Sequence, residues 1–287
     1  MNDFLNHWFS KIKISYSKKK RLMDKYLSLE KVWNLNVDQL KSDNSFLTVE
    51  DIHSIAISKN CEQLIKEVDE LKRNHICSIN IFDNRYPQKL KVIKDYPLVL
   101  FYIGNLELSQ QDIVGVVGTR LPTQYGKKTS MDIAFYLSNN HIIVISGMAY
   151  GIDTCAHIGA IKGKCQKTIA VLGNGLLDTD IYPKSNLQLL KSIVRNGGLV
   201  ISEYPIYTKA SKEFFPARNR IIAALSDKLI VVEAGMRSGS FITVDYALDY
   251  GKDVYAVPGG IYSEKSIGCN QLIKEGANMF CDFKDIL

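Results

Sequence analysis

One short segment of the chain carries residue types that suit a phosphate group. Gly118, Thr119 and Arg120 follow the apolar run 113–117 and precede a helix-like segment. A glycine, a hydroxyl and backbone N–H groups close to the start of a helix are what an anion requires. Arg120 adds a permanently charged, planar guanidinium that fits two phosphate oxygens at once. The tripeptide therefore predicts a phosphate-binding loop.

The spacing around this loop does not match a classical dinucleotide site. The glycines do not follow the G-x-G-x-x-G pattern, and no acidic residue ends a strand about 20 residues later. We therefore expect no NAD-type cofactor, and the sequence indicates no other one.

Further candidates follow the other apolar runs of the chain. In a parallel sheet, the carboxyl ends of the strands share one edge, and ligands bind there. We expect the residues after each run to meet the phosphate loop at this edge. These residues are Ser146 and Gly147, Lys184 after Tyr182-Pro183, the segment 212–220, and Ser238 with Gly239. Their convergence, rather than any single glycine, predicts a binding site.

The segment 212–220 combines cations with aromatic rings. A nucleobase stacks on an aromatic face while Lys and Arg hold the flanking phosphates, which is how single strands are bound without sequence specificity. We assign Lys212 and Phe215 to the ligand. Arg218 is included in the DNA-binding set, although Arg218 and Arg220 also fit a structural role in which an arginine pairs with a nearby glutamate.

Patterns typical of catalysis or metal binding are weak. Asp153 and His157 stand four residues apart on one predicted helix, without a third ligand at metal-site spacing. Ser146 and Ser240 lack an identifiable partner base. The six cysteines form no C-x-x-C pair, which disfavours both a zinc site and a disulfide framework. We therefore predict that the protein holds no metal and is not an enzyme.

The elements that would position these residues change in character along the chain. Residues 1–75 have apolar positions at helical spacing, which predicts a small helical N-terminal domain, and 76–112 resembles a connecting segment with short strands. From 113 to 287, runs that are apolar throughout alternate with helical segments. Such runs must be covered on both faces, as in the parallel sheet of an α/β fold. We predict strands at 113–117, 142–145, 168–172, 199–202, 229–232 and 254–257, and helices at 124–138, 151–162, 185–195, 216–226 and 240–250.

Composition limits the class of protein. With 46% apolar and 23% charged residues, a chain of 287 residues has the balance of a globular protein with one large or two unequal domains. We find neither a stretch of about 18 apolar residues nor a signal peptide, so we expect a cytoplasmic protein without a membrane partner. The net charge of +6 fits a polyanionic partner.

The motifs together resemble the DprA (Smf) family of bacterial DNA-processing proteins. The match runs in order from about 80 to 280 and rests on Gly118-Thr119-Arg120, 146–153, Ala156-His157, Tyr182-Pro183, Ser202-Glu203, 215–222, Ser238-Gly239-Ser240 and Pro258-Gly259. The resemblance implies an extended Rossmann-like fold that binds single-stranded DNA. It also implies homodimerisation and the loading of RecA onto DNA during natural transformation.

The resemblance also implies roles for particular residues. The DNA-binding residues would be Gly118, Thr119, Arg120, Lys184, Lys212 and Phe215. The dimer and RecA-contact surface would lie around Asn270, Ile273, Lys274 and Met279, with Leu248 near it. The chain departs from the family pattern at Tyr150, where Arg or Lys is usual, so that a basic contact is missing or replaced by stacking. We also expect no winged-helix-like C-terminal domain, because the chain ends at Leu287.

Three hypotheses about function remain open at this point. The favoured one is a non-catalytic recombination mediator that protects incoming single-stranded DNA and loads RecA. The second is a hydrolase or sensor of nucleotide derivatives similar to the LOG-like Rossmann enzymes, whose Gly-Gly-x-Gly-Thr loop the residues 238–240 match poorly. The third treats the N-terminal helices as a docking module whose partner sets the function.

Overall fold

One mixed sheet forms the centre of the molecule, in a computed structural model that describes residues 2–286. Its nine strands are β1 (Cys77–Asn80), β2 (Val99–Gly104), β3 (Ile113–Val117), β4 (Ile143–Ser146), β5 (Thr168–Leu172), β6 (Leu199–Ser202), β7 (Lys228–Val231), β8 (Asp253–Ala256) and β9 (Asn278–Met279). Their spatial order is β1-β2-β6-β5-β4-β3-β7-β8-β9. β2 is antiparallel to β1 and β6, and every pair from β6 to β9 is parallel. The predicted α/β fold with a parallel sheet is confirmed.

The order of the strands creates a reversal point at β3. After β3 the chain adds β4, β5 and β6 on one side, and then crosses back to place β7, β8 and β9 on the other. The loops that leave neighbouring strands in opposite directions open a crevice at the carboxyl ends, which is where open α/β sheets bind ligands.

Helices cover both faces of the sheet because its central strands are apolar on both sides. On one face lie α11 (Phe214–Leu225), α12 (Ser240–Asp249) and α13 (Ile267–Lys274), which pack on β-strand residues such as Ile169 and Val171. On the other lie α8 (Gln124–Asn139), α9 (Ile152–Lys162) and α10 (Leu187–Arg195). All five residues of β3 and of β5 are buried, as expected for strands with no solvent face.

The N-terminal part of the chain is helical, as predicted. It contains α1 (Asn2–Lys11), α2 (Tyr16–Tyr26), α3 (Leu29–Asn34), α4 (Val37–Asp43), α5 (Val49–Ile57) and α6 (Cys61–Arg73). Trp8 and Leu22 are fully buried there, and their apolar cluster continues into sheet residues such as Phe101 and Ala170. The helices therefore share a core with the sheet, and the division into domains at residue 75 stays a prediction.

Several boundaries differ from those predicted. β1 and β2 from the connecting segment join the main sheet as its antiparallel edge, and the short α7 (Gln88–Lys91) lies between them. α11 begins at Phe214 rather than at residue 216. Pro216 is tolerated inside its first turn, since the N–H groups of that turn have no intrahelical partner. β4 is shifted by one residue, so that Ser146 belongs to the strand.

Candidate nucleic-acid interface

A cavity of about 580 Å³ opens at the carboxyl ends of the strands, beside the reversal point. Its walls come from the end of β3, the β4–α9 loop, the β5–α10 loop and the first turns of α11 and α12. They comprise Val117, Gly118, Thr119, Arg120, Ala149, Asp153, Tyr182, Lys212, Phe215, Pro216, Arg218, Asn219, Ile222, Ser238, Gly239, Ser240, Ile242 and Thr243. Hence the cavity brings together eight residues of the predicted DNA-binding set: Gly118, Thr119, Arg120, Lys212, Phe215, Arg218, Ser238 and Gly239.

Hydrogen bonds to neighbouring segments hold the backbone of the predicted phosphate loop in place. The Thr119 N–H donates to the carbonyl of Glu233 at 2.7 Å, and the Leu121 N–H donates to Thr119 Oγ1 at 3.2 Å. The Thr119 carbonyl in turn accepts from the Ile152 N–H at 3.2 Å. These N–H groups are therefore committed within the protein, unlike the free donors that we expected. What the loop offers to an anion is the exposed side chain of Arg120 in a fixed position.

Positive charge at the cavity also comes from the starts of helices. Asp153, Phe215 and Ser240 line the cavity, and each lies in the first turn of its helix, α9, α11 or α12. The N-terminus of a helix carries a partial positive charge and favours an anion. Three such ends meet here.

Two glycines allow the β4–α9 loop to approach its neighbours closely. Gly151 has φ +79°, a conformation that side chains other than glycine rarely adopt, and a Cβ there would collide with the Thr119 carbonyl. A Cβ on Gly147 would collide with the guanidinium of Arg218. Gly147 therefore lies beneath the cavity wall, and neighbouring Ser146 is buried with its hydroxyl donating to the Val116 carbonyl at 2.7 Å. Both residues shape the site from below.

Arg218 forms the floor of the cavity. Its side chain is 3% exposed and donates to the carbonyls of Gly147 and Val171. Burial lowers the pKa of Arg218 to about 10, against the opposing effect of Asp153, so the guanidinium stays charged at neutral pH. Burial has the opposite effect on the acid Asp153: it raises the pKa of the carboxyl group, and the charge of Arg218 opposes this rise. The arginine therefore holds two strand ends together while its charge faces the cavity.

Arg220 has the structural role that we considered for this segment. It donates to Glu203 Oε2 at 2.6 Å and to Asp95 Oδ2 at 2.9 Å. Burial alone would lower the pKa of Arg220, but the two carboxylates raise it above its ordinary value. Arg220 thus connects α11 to the loops before β2 and after β6, outside the cavity.

The aromatic and cationic groups expected to bind the ligand meet at the mouth of the cavity. The guanidinium of Arg120 lies 5.1 Å from the centre of the Phe215 ring, in a cation–π arrangement. The Tyr182 ring lies 5.7 Å from Phe215. Lys212 is exposed at the same rim. Lys184, in contrast, lies outside the cavity, and its ammonium donates to the carbonyls of Asp178 and Thr179 at 2.9 and 2.7 Å.

Comparison with known proteins identifies the family of the chain. Residues 77–287 match the family model described as DNA recombination-mediator protein A. The chain is 45% identical over 211 residues to the DNA processing protein DprA of Streptococcus pneumoniae, which covers 73% of each chain. It is 37% identical to the Bacillus subtilis protein over 245 residues, covering 84% of this chain and 81% of that one. The chain belongs to the DNA recombination-mediator protein A family.

Solved structures of this family extend the likeness to the whole chain. DNA processing protein A from S. pneumoniae superposes with a TM-score of 0.83 at 35% identity, over 98% of this chain and 96% of that one. DNA processing protein A from Helicobacter pylori, described for its single-stranded DNA binding mode, superposes with a TM-score of 0.66 at 30% identity, over 74% and 93%. The family resemblance inferred from the motifs is confirmed.

Sequence reasoning missed part of the lining of this cavity. Tyr182, Ile242 and Thr243 line the cavity without having been assigned to it, and Asn219 lines it without having been given a role of its own. A signal existed for each of them. Tyr182 precedes Lys184 by two positions, and Asn219 stands inside the segment 212–220. Ile242 and Thr243 follow Gly239 by three and four residues, which places them one helical turn away on the same face.

The residues that the resemblance assigned to a dimer surface lie on α12, on α13 and on β9, the edge strand of the sheet. On α12, Leu248 is 58% exposed, and on the edge strand β9, Met279 is 52% exposed. Lys274 is exposed at the end of α13, whereas Ile273 packs partly on the core. The side-chain amide of Asn270 exchanges hydrogen bonds with the backbone of Gly259 at 3.0 and 3.1 Å. We call the last turn of α12 around Leu248, together with α13 and β9, the C-terminal edge.

The groups considered for metal binding and catalysis are engaged elsewhere. His157 is buried on α9, and its Nδ1 lies 2.9 Å from Thr168 Oγ1. Burial lowers its pKa to about 3, so it is neutral at physiological pH. Among residues 2–286, no cluster of His, Cys, Asp and Glu side chains is arranged to hold a metal ion. Over the same residues, no helix combines the length and apolar character needed to cross a membrane.

Proposed function

We propose that the protein is a non-catalytic recombination mediator of the cytoplasm, which binds single-stranded DNA in the cavity, protects it and loads RecA onto it during natural transformation. The observation that carries this proposal is the pairing of Arg120 with Phe215 at the mouth of the cavity. The pair places a cation for a phosphate next to an aromatic ring on which the base of the same nucleotide can stack.

The chemistry of the cavity supports a nucleic-acid ligand. Arg120 and Lys212 supply charge for the phosphates, and the helix starts add to it. Phe215 and Tyr182 supply aromatic faces on which unpaired bases can stack. The bases of a duplex are stacked inside its helix and do not reach these faces. The H. pylori relative, described for its single-stranded DNA binding mode, lends further support.

A dimer would give this binding its strength. The exposed apolar side chains of Leu248 and Met279 make the C-terminal edge suitable for contact with a second copy or with RecA. Two cavities held in one dimer would grip the same strand with an avidity greater than either site has alone.

The hydroxyl groups near the cavity support a binding role rather than catalysis. Ser146 donates to a backbone carbonyl, and the Ser240 hydroxyl lies 2.8 Å from that of Ser238 instead of beside a base. Nucleophilic catalysis by serine needs an adjacent general base.

The proposal is tested by a charge reversal in the cavity and a matched reversal outside it. Arg120→Glu should weaken the binding of labelled oligo-dT at least about tenfold, and it should flatten the dependence of log K on log salt by about 0.7 for each phosphate that the variant no longer neutralises. Arg195→Glu is the control, because Arg195 is exposed at the end of α10, at the opposite edge of the sheet. Fluorescence anisotropy measures both.

This titration and three further measurements separate the alternatives. Equal affinity of the two variants would contradict the site, and equal competition by duplex DNA would contradict single-strand binding. RecA-promoted strand exchange on the bound oligonucleotide tests the loading step. Release of free base from a nucleoside monophosphate, followed by chromatography, would instead favour the hydrolase hypothesis.

A further inference from the structure

A third aromatic side chain, next to the two that line the cavity, lies immediately outside it. Tyr150 is 44% exposed, and its ring centre is 6.2 Å from that of Tyr182, at an interplanar angle of 81°. Tyr182 is 42% exposed and reaches Phe215 inside the cavity. The three rings form a continuous line from the cavity to solvent.

The two tyrosines are held in place by buried hydrogen bonds between their loops. Asn186 follows Tyr182 in the β5–α10 loop, and its side-chain amide donates to the Met148 carbonyl at 2.9 Å and to Thr154 Oγ1 at 2.8 Å. Met148 precedes Tyr150 in the β4–α9 loop, and Thr154 follows it in the first turn of α9. These bonds hold together the two backbone segments that carry the rings, so that both rings are presented from a fixed support.

Tyr150 and Tyr182 place two partly exposed aromatic rings side by side at the edge of the cavity. Their rings present apolar faces. They lie next to the cavity in which we assign Arg120 and Lys212 to the phosphates. A nucleotide neighbouring the one in the cavity would bring its base to this place, because its phosphate stays near the same cations. Stacking on the face of an aromatic ring suits any base that is unpaired.

We propose that Tyr150 and Tyr182 form an external stacking platform for the base adjacent to the nucleotide in the cavity. This inference rests on the proposed function of the cavity as a single-strand site. It makes Tyr150 a determinant of the preference for unpaired strands, because a base stacked inside a duplex exposes no face to the platform. Tyr150 therefore contributes through the base, whereas Arg120 contributes through the phosphate.

The test compares a normal strand with one that has phosphates but no bases. The probes are oligo-dT and an oligonucleotide of the same length built from abasic tetrahydrofuran units. Tyr150→Leu should weaken binding of oligo-dT about fivefold and leave binding of the abasic strand unchanged. Tyr150→Phe keeps the ring and should bind both strands as the wild type does. Arg120→Glu should weaken both strands.

A spectroscopic measurement checks the stacking directly. The two tryptophans of the chain, Trp8 and Trp33, lie in the N-terminal helices, so Tyr150→Trp adds a fluorophore at the mouth of the cavity. Its added fluorescence should be quenched by oligo-dT and not by the abasic strand. Equal losses on both strands in Tyr150→Leu, or no loss on either, would overturn the platform while leaving the cavity assignment intact. A wild-type protein that fails to bind oligo-dT would instead contradict the proposed function itself.

Discussion

The cavity and the C-terminal edge are built in opposite ways, although the proposed function needs both. The cavity is made of loops and the first turns of helices, which Gly147, Gly151 and the buried Arg218 hold together. The C-terminal edge is made of regular helices and a short edge strand, with apolar side chains such as Leu248 and Met279 facing outward. Contacts within the protein determine the shape of the cavity, whereas the C-terminal edge is distinguished by its exposed apolar side chains.

This difference determines how each region tolerates substitution. In the cavity, a change to a supporting residue acts on the fold and the ligand together, because the same groups serve both. At the C-terminal edge, a change to an exposed side chain should leave the monomer intact and act only on the proposed association. The two regions can therefore be separated by measuring stability and binding in the same variants.

The largest effect is expected from Arg218→Met. The substitution leaves the carbonyls of Gly147 and Val171 without their donor and Asp153 without its cationic neighbour. Removing one partner from such a buried set costs about 3 kcal/mol or more. The free energy of unfolding from urea titration should fall by this amount, and oligo-dT binding should disappear with it.

The matched control is Arg120→Met, because Arg120 is an exposed arginine of the same cavity. It should change the free energy of unfolding by less than about 0.5 kcal/mol while still weakening DNA binding. If both variants were equally stable, the floor would not support the cavity, and the cavity would tolerate substitution as the C-terminal edge does.

A smaller effect, confined to association, is expected from Met279→Asp. A carboxylate placed in an apolar contact must be desolvated, so the dissociation constant of a dimer formed through the C-terminal edge should rise at least about tenfold. Sedimentation equilibrium measures it, and the urea midpoint should stay unchanged. Val92→Asp, at an exposed apolar position after α7 and away from the C-terminal edge, is the control. A dimer that survives Met279→Asp would place the interface elsewhere.

The sequence was sufficient for the parts of the molecule in which local pattern determines structure. The strands Thr168–Leu172 and Leu199–Ser202 were predicted to the residue, because strands buried on both faces are continuous apolar runs. The cavity loops followed from the rule that ligands bind at the carboxyl ends of such strands. Contacts between distant segments were beyond this reasoning. The Thr119 N–H is bonded to the carbonyl of Glu233, and no local signal predicts that partner.

Lys184 shows the same limit, and it gives the smallest of the expected effects. Its position after Tyr182 placed it in the predicted site, but its ammonium donates to the carbonyls of Asp178 and Thr179. Lys184→Ala should therefore change oligo-dT affinity less than about threefold, because the charge is already held by the protein. Lys212→Ala, at the exposed rim, should cost more and reduce the salt dependence by about 0.7 in log–log slope. Equal decreases in affinity in the two variants would mean that Lys184 exchanges its carbonyl partners for a phosphate on binding, and that the cavity extends further along the strand than its unliganded walls indicate.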